Sequence, residues 1–237
     1  MQVYPHEKFD GIYWVEFEDG SKKLATVNLA PSFKVYGEQL ISHEGVEYRI
    51  WNAYRSKLAA SILKNIREIA VKPGFKILYL GAAAGTTVSH VSDIVGVNGK
   101  VYSVEFAPRV FRKLLTVCEK RRNIIPILAD ARMPSLYRTM VPKVDGIYCD
   151  VAQPEQAKLL VANAEMFLKY GGIIMLAIKA RSIDVTLEPS EIYRREINYL
   201  KEGGFDILDT VHLEPFDKAH AMVSARYVSN IKEKQDR

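Results

Sequence analysis

The sequence predicts an α/β protein. The expected fold is Rossmann-like, with a mostly parallel seven-stranded sheet, an antiparallel C-terminal hairpin and a small N-terminal antiparallel β domain. Three observations point to it. From residue 76 onward, short apolar runs alternate with segments of helical period, the pattern of a parallel sheet covered on both faces. The first of these runs, Ile77 to Leu80, enters G-A-A-A-G-T-T (Gly81 to Thr87), and the V-S-H-V-S-D-I-V that follows has helical spacing. The first fifty residues instead alternate apolar and polar around Asp19-Gly20, a hairpin signal.

Taken in order, Gly11 to Leu29 reads as two strands joined at E-D-G-S, and further strands are expected near Lys34–Tyr36 and Val46–Trp51. Residues 1–51 are therefore assigned to the β domain and 52–237 to the larger domain. Asn52 can cap a helix running to about Ala70, with Tyr54, Leu58, Ile62, Ile66 and Ile69 on one face, and Lys72-Pro73-Gly74 stops it. Strands are expected near 76–81, 100–105, 124–129, 144–149, 172–179, 205–212 and 220–227, and helices near 86–95, 108–121, 154–169 and 188–202. L-E-P-F-D-K-A is too short for a helical crossover, so the last two strands must be antiparallel. The C-terminal I-K-E-K-Q-D-R is expected to fray.

Composition bounds the function. The chain has 237 residues, 48% of them hydrophobic, enough for a proper core. No apolar run approaches a membrane span, and M-Q-V-Y-P-H-E-K lacks the look of a signal peptide. The expectation is a soluble, cytoplasmic protein that engages no membrane. Cys118 and Cys149 have no metal-ligand neighbours, so free buried thiols and no metal are expected. Residues 1–50 hold five Lys/Arg and eight Asp/Glu, a net of −3 in a chain whose total is +5. The remainder is basic, which points to a polyanionic partner for the body alone.

The chemistry gathers at the strand ends. Gly81 and Gly85 allow a ligand close to the backbone, and a helix N-terminus at Thr86 and Thr87 offers free N–H groups. In an open α/β sheet, ligands sit beyond the carboxyl ends of the strands. Three successive strands end there in an acid: Glu105, Asp130 and Asp150. Glu105 lies 24 residues after Gly81, near the spacing at which an acid receives ribose hydroxyls. Acids around the pocket repel a dinucleotide's pyrophosphate but attract the sulfonium and ammonium of S-adenosylmethionine. That cofactor, and a methyltransferase, are expected over a nicotinamide-dependent oxidoreductase. D-V-A-Q-P (Asp150 to Pro154) is not the D-P-P-Y of exocyclic amine methylation. Lys179 ends the next strand at the same sheet edge, and a carboxylate with an ammonium suits a hydroxyl acceptor.

Several motifs together resemble fibrillarin. They are G-A-A-A-G-T-T-V-S-H-V-S-D, V-E-F, R-R-N-I-I-P-I-L-A-D-A-R, D-V-A-Q-P, I-K-A-R-S-I-D-V-T and L-E-P-F-D-K-A-H-A, with V-Y-G-E-Q-L and W-N-A-Y-R-S-K-L before them. Ala84 departs from the family, where serine is frequent. No glycine/arginine-rich N-terminal extension is present, so the resemblance is to the archaeal form.

The resemblance implies an S-adenosylmethionine-dependent RNA 2′-O-methyltransferase of box C/D ribonucleoproteins, acting on rRNA and on tRNA. It implies that Gly81, Ala82 and Gly85 form the cofactor turn and that Thr86 and Thr87 line the methionine end. Glu105 would take the ribose hydroxyls, Phe106 would flank the adenine, and Asp130 and Ala131 would meet its edge. Asp150, Val151, Ala152 and Gln153 would close the site, and the catalytic tetrad would be Lys57, Asp150, Lys179 and His220. The implied partners are a box C/D guide RNA with its target RNA, a Nop-family scaffold protein and a kink-turn-binding ribosomal-protein homologue. Arg109, Arg112, Lys113, Arg121, Arg122, Arg132 and Arg181 are candidate RNA contacts. Methylation of a protein side chain such as glutamine, and a non-catalytic structural role in a ribonucleoprotein, remain as alternatives.

Overall fold

The computed structural model describes residues 1–228, and the expected frayed tail lies outside them. The N-terminal segment forms a five-stranded antiparallel sheet of order β1-β2-β3-β5-β4, from Gln2–Pro5, Tyr13–Glu16, Lys22–Val27, Leu40–His43 and Val46–Ile50. The Asp19-Gly20 hairpin forms as expected, pairing Glu16 with Lys22. Three strands depart from the sequence reading. Residues 34–36 are not a strand. The partner of Val46–Ile50 is instead Leu40–His43, joined to it through Glu44 and Gly45, both at positive φ (50° and 77°). Two successive left-handed residues fit the right-handed twist of a tight hairpin. Gln2–Pro5, which carries no expected strand, pairs with β2 along the edge.

The helix after Asn52 is also shorter than its apolar spacing predicts. Asn52 caps only a 3-10 turn, Ala53–Arg55, and Ser56 caps α1, Lys57–Leu63. Asn65 ends α1 in the left-handed region (φ 60°). Its N–H reaches Ile62 O at 2.9 Å, and that of Ile66 reaches Ser61 O at 3.1 Å, a Schellman closure. Ile66 and Ile69 enter the core from irregular chain.

The remaining strands form one sheet of order β11-β12-β10-β9-β6-β7-β8. They are β6 Lys76–Leu80, β7 Lys100–Glu105, β8 Ile124–Leu128, β9 Val144–Cys149, β10 Leu168–Lys179, β11 Phe205–His212 and β12 His220–Tyr227. β6 to β10 run parallel, and β12 pairs antiparallel with both β10 and β11. The helices are α2 Thr86–Val95, α3 Pro108–Lys120, α4 Gln156–Phe167, a short α5 Ala180–Ile183 and α6 Pro189–Glu202. Period-two alternation in fully buried strands divides the core in two. Ile77 and Tyr79 of β6 face the cluster beneath α1, α2 and α3, while Leu78 and Leu80 face that beneath α4 and α6. Pro126 lies in edge strand β8, where no outer neighbour needs its missing N–H. Among the described residues no helix is long and apolar enough to cross a membrane.

The two sheets are tied together by a buried polar network on α2. Asp93 accepts from Arg49 Nη1 (2.8 Å), Thr26 Oγ1 (2.8 Å), the Leu29 N–H (3.0 Å) and Arg121 Nη1. Arg49 also reaches Glu38 (2.7 Å) and Ser89 (2.9 Å). Arg121, expected among the RNA contacts, is therefore a buried structural cation. His90 stacks on Trp51 with ring centroids 4.8 Å apart. The Thr26 hydroxyl gives its proton to Asp93, so His90 Nδ1–H donates to Thr26 and Nε2 accepts from the Tyr36 hydroxyl, each at 2.8 Å.

Burial, with Arg49 and Arg121 nearby, holds the His90 ring well below its ordinary pKa, so it folds neutral. The unfolded chain protonates it near 6.5. The folded state then binds fewer protons below that pH. The stability gained from a neutral His90 is complete above about pH 6.5 and declines by about 1.4 kcal/mol per pH unit beneath it. Guanidinium unfolding between pH 7.5 and 5.5 should show this extra slope in the wild type and lose it in His90→Gln. Parallel pH profiles would contradict a neutral buried His90.

Candidate active site

The site is assembled where β6 and β9 end side by side. Gly81 follows β6 at φ 84°, and a Cβ there would approach the Asp150 carbonyl to 2.7 Å, so only glycine fits. The Asp150 N–H in turn donates to Leu80 O at 2.9 Å. Gly85 starts α2 at φ 93°, with Leu114 and Val117 each 3.2 Å from where its Cβ would lie. The glycine turn is thus fixed against β9 on one side and α3 on the other.

A cavity of about 330 Å³ opens over these strand ends, within the usual range for small-molecule sites. Of the residues expected to bind cofactor, Gly81, Glu105, Phe106, Asp130, Ala131, Asp150, Val151, Ala152 and Gln153 line it, joined by Lys179. Ala82, Gly85, Thr86 and Thr87 do not form its walls. The Thr87 hydroxyl is turned inward and donates to Ser56 Oγ at 3.1 Å. Ala83, Val104, Ala129 and Leu159 complete the lining. They are small or aliphatic residues: Ala83 and Ala129 follow β6 and β8 and Val104 is near the end of β7, whereas Leu159 comes from α4 and carries no such signal.

Glu105 is 8% exposed, and its carboxylate accepts the N–H groups of Ala83 (2.9 Å) and Ala107 (2.8 Å). It both shapes the turn and presents charge to the cavity. Asp130 is gripped by Arg132 through Nε (2.9 Å) and Nη2 (2.6 Å), and this hydrogen bonding holds its carboxyl below the usual range. Acidic groups therefore alternate with apolar wall: Val104, Phe106, Ala129, Val151 and Leu159. That mixture fits a cationic nucleoside such as S-adenosylmethionine. Burial pushes Cys149, beneath the site, up to about 12, which removes a thiolate from the chemistry.

At the cavity's edge runs a chain of alternating charges. Lys179, at the end of β10, donates from Nζ to the Asp150 carbonyl at 2.9 Å and lies 2.8 Å from Asp150 Oδ1. Lys57, in the first turn of α1 behind its Ser56 cap, sets Nζ 3.3 Å from Asp150 Oδ1 and 3.5 Å from Asp217 Oδ2. Asp217 Oδ1 lies 2.9 Å from His220 Nδ1. His220 sits opposite Lys179 in the β10–β12 register. All four expected tetrad members thus meet, from α1, β9, β10 and β12. Asp217, the link between two of them, carries no role in the sequence reading although it stands inside the quoted L-E-P-F-D-K-A-H-A. The Lys179 backbone is itself anchored, its N–H donating to the buried Gln156 Oε1 at 3.0 Å.

The neighbours of His220 also fix its tautomer. Nδ1 faces two acceptors, Asp217 Oδ1 and the Lys218 carbonyl at 2.7 Å, so Nδ1 carries the proton and the lone pair of the neutral ring is on Nε2.

Comparison with known proteins places the chain among close relatives. The fibrillarin family model matches residues 3–229. A fibrillarin-like rRNA/tRNA 2′-O-methyltransferase from Staphylothermus marinus is 61% identical over 227 residues, covering 96% of this chain and 97% of that protein. The crystal structure of Aeropyrum pernix fibrillarin with natively bound S-adenosyl-L-methionine superposes with a TM-score of 0.90 at 60% identity, over 95% of this chain and 98% of that one. A fibrillarin chain solved in complex with Nop5p matches at 0.79 and 42% identity, over 90% and 96% of the two chains.

Glu105 gives a direct test of the cavity. Glu105→Ala should weaken S-adenosylmethionine binding by about 1.5–3 kcal/mol, the worth of hydrogen bonds to a charged group. Calorimetry reads this, with circular dichroism confirming the fold. Undiminished affinity would remove Glu105 from the cofactor site.

Proposed function

The chain belongs to the fibrillarin family, and on that premise we propose that it methylates ribose 2′-hydroxyls of rRNA and tRNA from S-adenosylmethionine, directed by a guide RNA. The observation that carries this reading is the Lys179–Asp150–Lys57 cluster at the mouth of an acid-lined cavity. When bound, S-adenosylmethionine supplies a methyl group already activated on a sulfonium. Glu105 is assigned to the ribose hydroxyls of the cofactor and the wall at Phe106 to its adenine. Asp130 would meet the adenine edge once Arg132 gives way.

On the acceptor side, Asp150 fixes both lysines. Their remaining N–H groups can hold the 2′-oxygen and offset its negative charge as the proton leaves. Lys179 donates to the Asp150 carbonyl and is ion-paired with its carboxylate, which suits it to orienting the oxygen better than to removing its proton. His220 Nε2 offers a lone pair that can accept a proton, with Asp217 steadying the ring. Much of the rate would come from this positioning. An intact ion-pair chain also disfavours a purely structural subunit.

The basic groups on the surface, Arg109, Arg112, Lys113, Arg122, Arg132 and Arg181, are exposed and spread over several elements. Dispersed cations give weak, salt-sensitive and sequence-blind RNA binding. Target choice is therefore assigned to a box C/D guide RNA presented by a Nop-family scaffold and a kink-turn-binding protein. The free thiols Cys118 and Cys149 accord with a reducing cytoplasm.

Methyl-labelled cofactor separates the readings. With guide RNA, scaffold and kink-turn protein present, label should appear in one 2′-O-methylribose opposite the guide, and the chain alone should label RNA poorly at physiological salt. Label in protein, or efficient site-specific labelling by the chain alone, would contradict the proposal.

A further inference from the structure

A second cavity adjoins the first, and the chemistry above leaves it unused. It holds about 400 Å³ between the chain after β8 and the start of α4, with walls from Arg132, the loop 153–155, and Lys158, Leu159 and Ala162 of α4. Gln153 and Leu159 line both cavities, so the two share a wall. Glu105, Asp150 and Lys179 line only the first, which puts the second on the side away from the ion-pair chain. The clasp of Arg132 on Asp130, at 2.6 and 2.9 Å, belongs to the same wall, because Asp130 lines the first cavity and Arg132 the second. The Arg132 side chain is 62% exposed, so the clasp is a surface ion pair that costs little to open. The two cations of the second cavity do not call for an anion. Arg132 is paired with Asp130, and Lys158 lies 2.8 Å from Glu155. The surface left over, Pro154, Leu159 and Ala162, is apolar.

We propose that this cavity extends the adenine subsite and accepts an apolar group, such as benzyl, carried on the exocyclic amine of the cofactor's adenine. The inference rests on the reading that sets the adenine beside Phe106 with its edge at Asp130. In that pose the exocyclic amine meets the wall that the two cavities share. A singly substituted amine keeps one N–H for Asp130, and its substituent continues past Asp130 into the second cavity. Moving Arg132 aside is a step that the unsubstituted adenine needs as well. Pro154, Leu159 and Ala162 then take a phenyl ring out of water, and the Arg132 guanidinium can lie against its face. The sulfonium and the ribose keep their places in the first cavity. Ala162 is the position that sets this tolerance. Its methyl leaves the second cavity open, and a bulkier side chain there would close it without touching the first.

Calorimetry on the full chain tests this, with S-adenosylmethionine and its N6-benzyl analogue as the two ligands. The analogue should bind the wild type within about fivefold of S-adenosylmethionine, because the Arg132 clasp it holds open is worth no more than that. Ala162→Phe should weaken the analogue at least about tenfold, the penalty of crowding a filled pocket, and leave the Kd of S-adenosylmethionine unchanged. Ala162→Leu is the milder variant, read in the same way if phenylalanine disturbs α4, and circular dichroism checks both folds. Failure of the analogue to bind the wild type would overturn the subsite. So would variants that bind both ligands as the wild type does, since the benzyl group would then lie elsewhere, or folded variants that lose both ligands alike. Failure of S-adenosylmethionine itself to bind the wild type would overturn the cofactor reading and the subsite with it.

Discussion

Asp150 stands where three separated parts of the chain converge, and its carboxylate and carbonyl hold two lysines that the sequence keeps far apart. Lys57 arrives from α1, before the large sheet begins, and Lys179 from the end of β10. A carboxylate and two ammoniums this poorly solvated are tolerable only together, since removing one partner strands the others. Asp217 takes up part of the excess positive charge at Lys57 and carries the pattern on to His220. The backbone is fitted to the same point. Gly81 has no side chain because the Asp150 carbonyl lies where its Cβ would go, and that carbonyl also receives Lys179. The glycine turn and the Lys179–Asp150–Lys57 cluster are therefore two sides of one contact between β6 and β9.

A second constraint orients the N-terminal sheet. Its strands present Arg49 and Thr26 to α2, and Asp93 receives both along with Arg121 from the end of α3. Because α2 begins at the glycine turn, this network braces the cofactor side from the face away from solvent. The chain from β5 through the 3-10 turn to Ser56 then delivers Lys57, and Ser56 itself joins the start of α1 to Thr87 of α2. The N-terminal sheet works in this way as part of the active-site frame.

Much of this is readable in the sequence where periodicity or charge is strong. Buried parallel strands declare themselves as apolar runs, and three acids at successive strand ends mark the mouth of the cavity. What escapes has local causes. The helical face from Tyr54 to Ile69 is genuine as a pattern, yet Asn65 adopts a left-handed closure that no spacing reveals. The Glu44-Gly45 hairpin hides because glutamate is an uncommon residue for a turn of that kind. Arg121 looks like a surface cation until its partner Asp93 is brought to it from α2. Asp217 meets Lys57, and Gln156 meets Lys179, only across long stretches of sequence, so these contacts appear once the strands are side by side.

The central claim is that one carboxylate organises two ammoniums into a site for a hydroxyl acceptor. Asp150→Asn tests it most directly, because the side chain keeps its size and loses the charge that binds Lys57 and Lys179. Single-turnover methylation of bound RNA, measured beside cofactor affinity, should fall on the order of 100- to 1,000-fold, as when one preorganised electrostatic group is lost, while affinity changes only slightly. A rate close to that of the wild type would contradict the account.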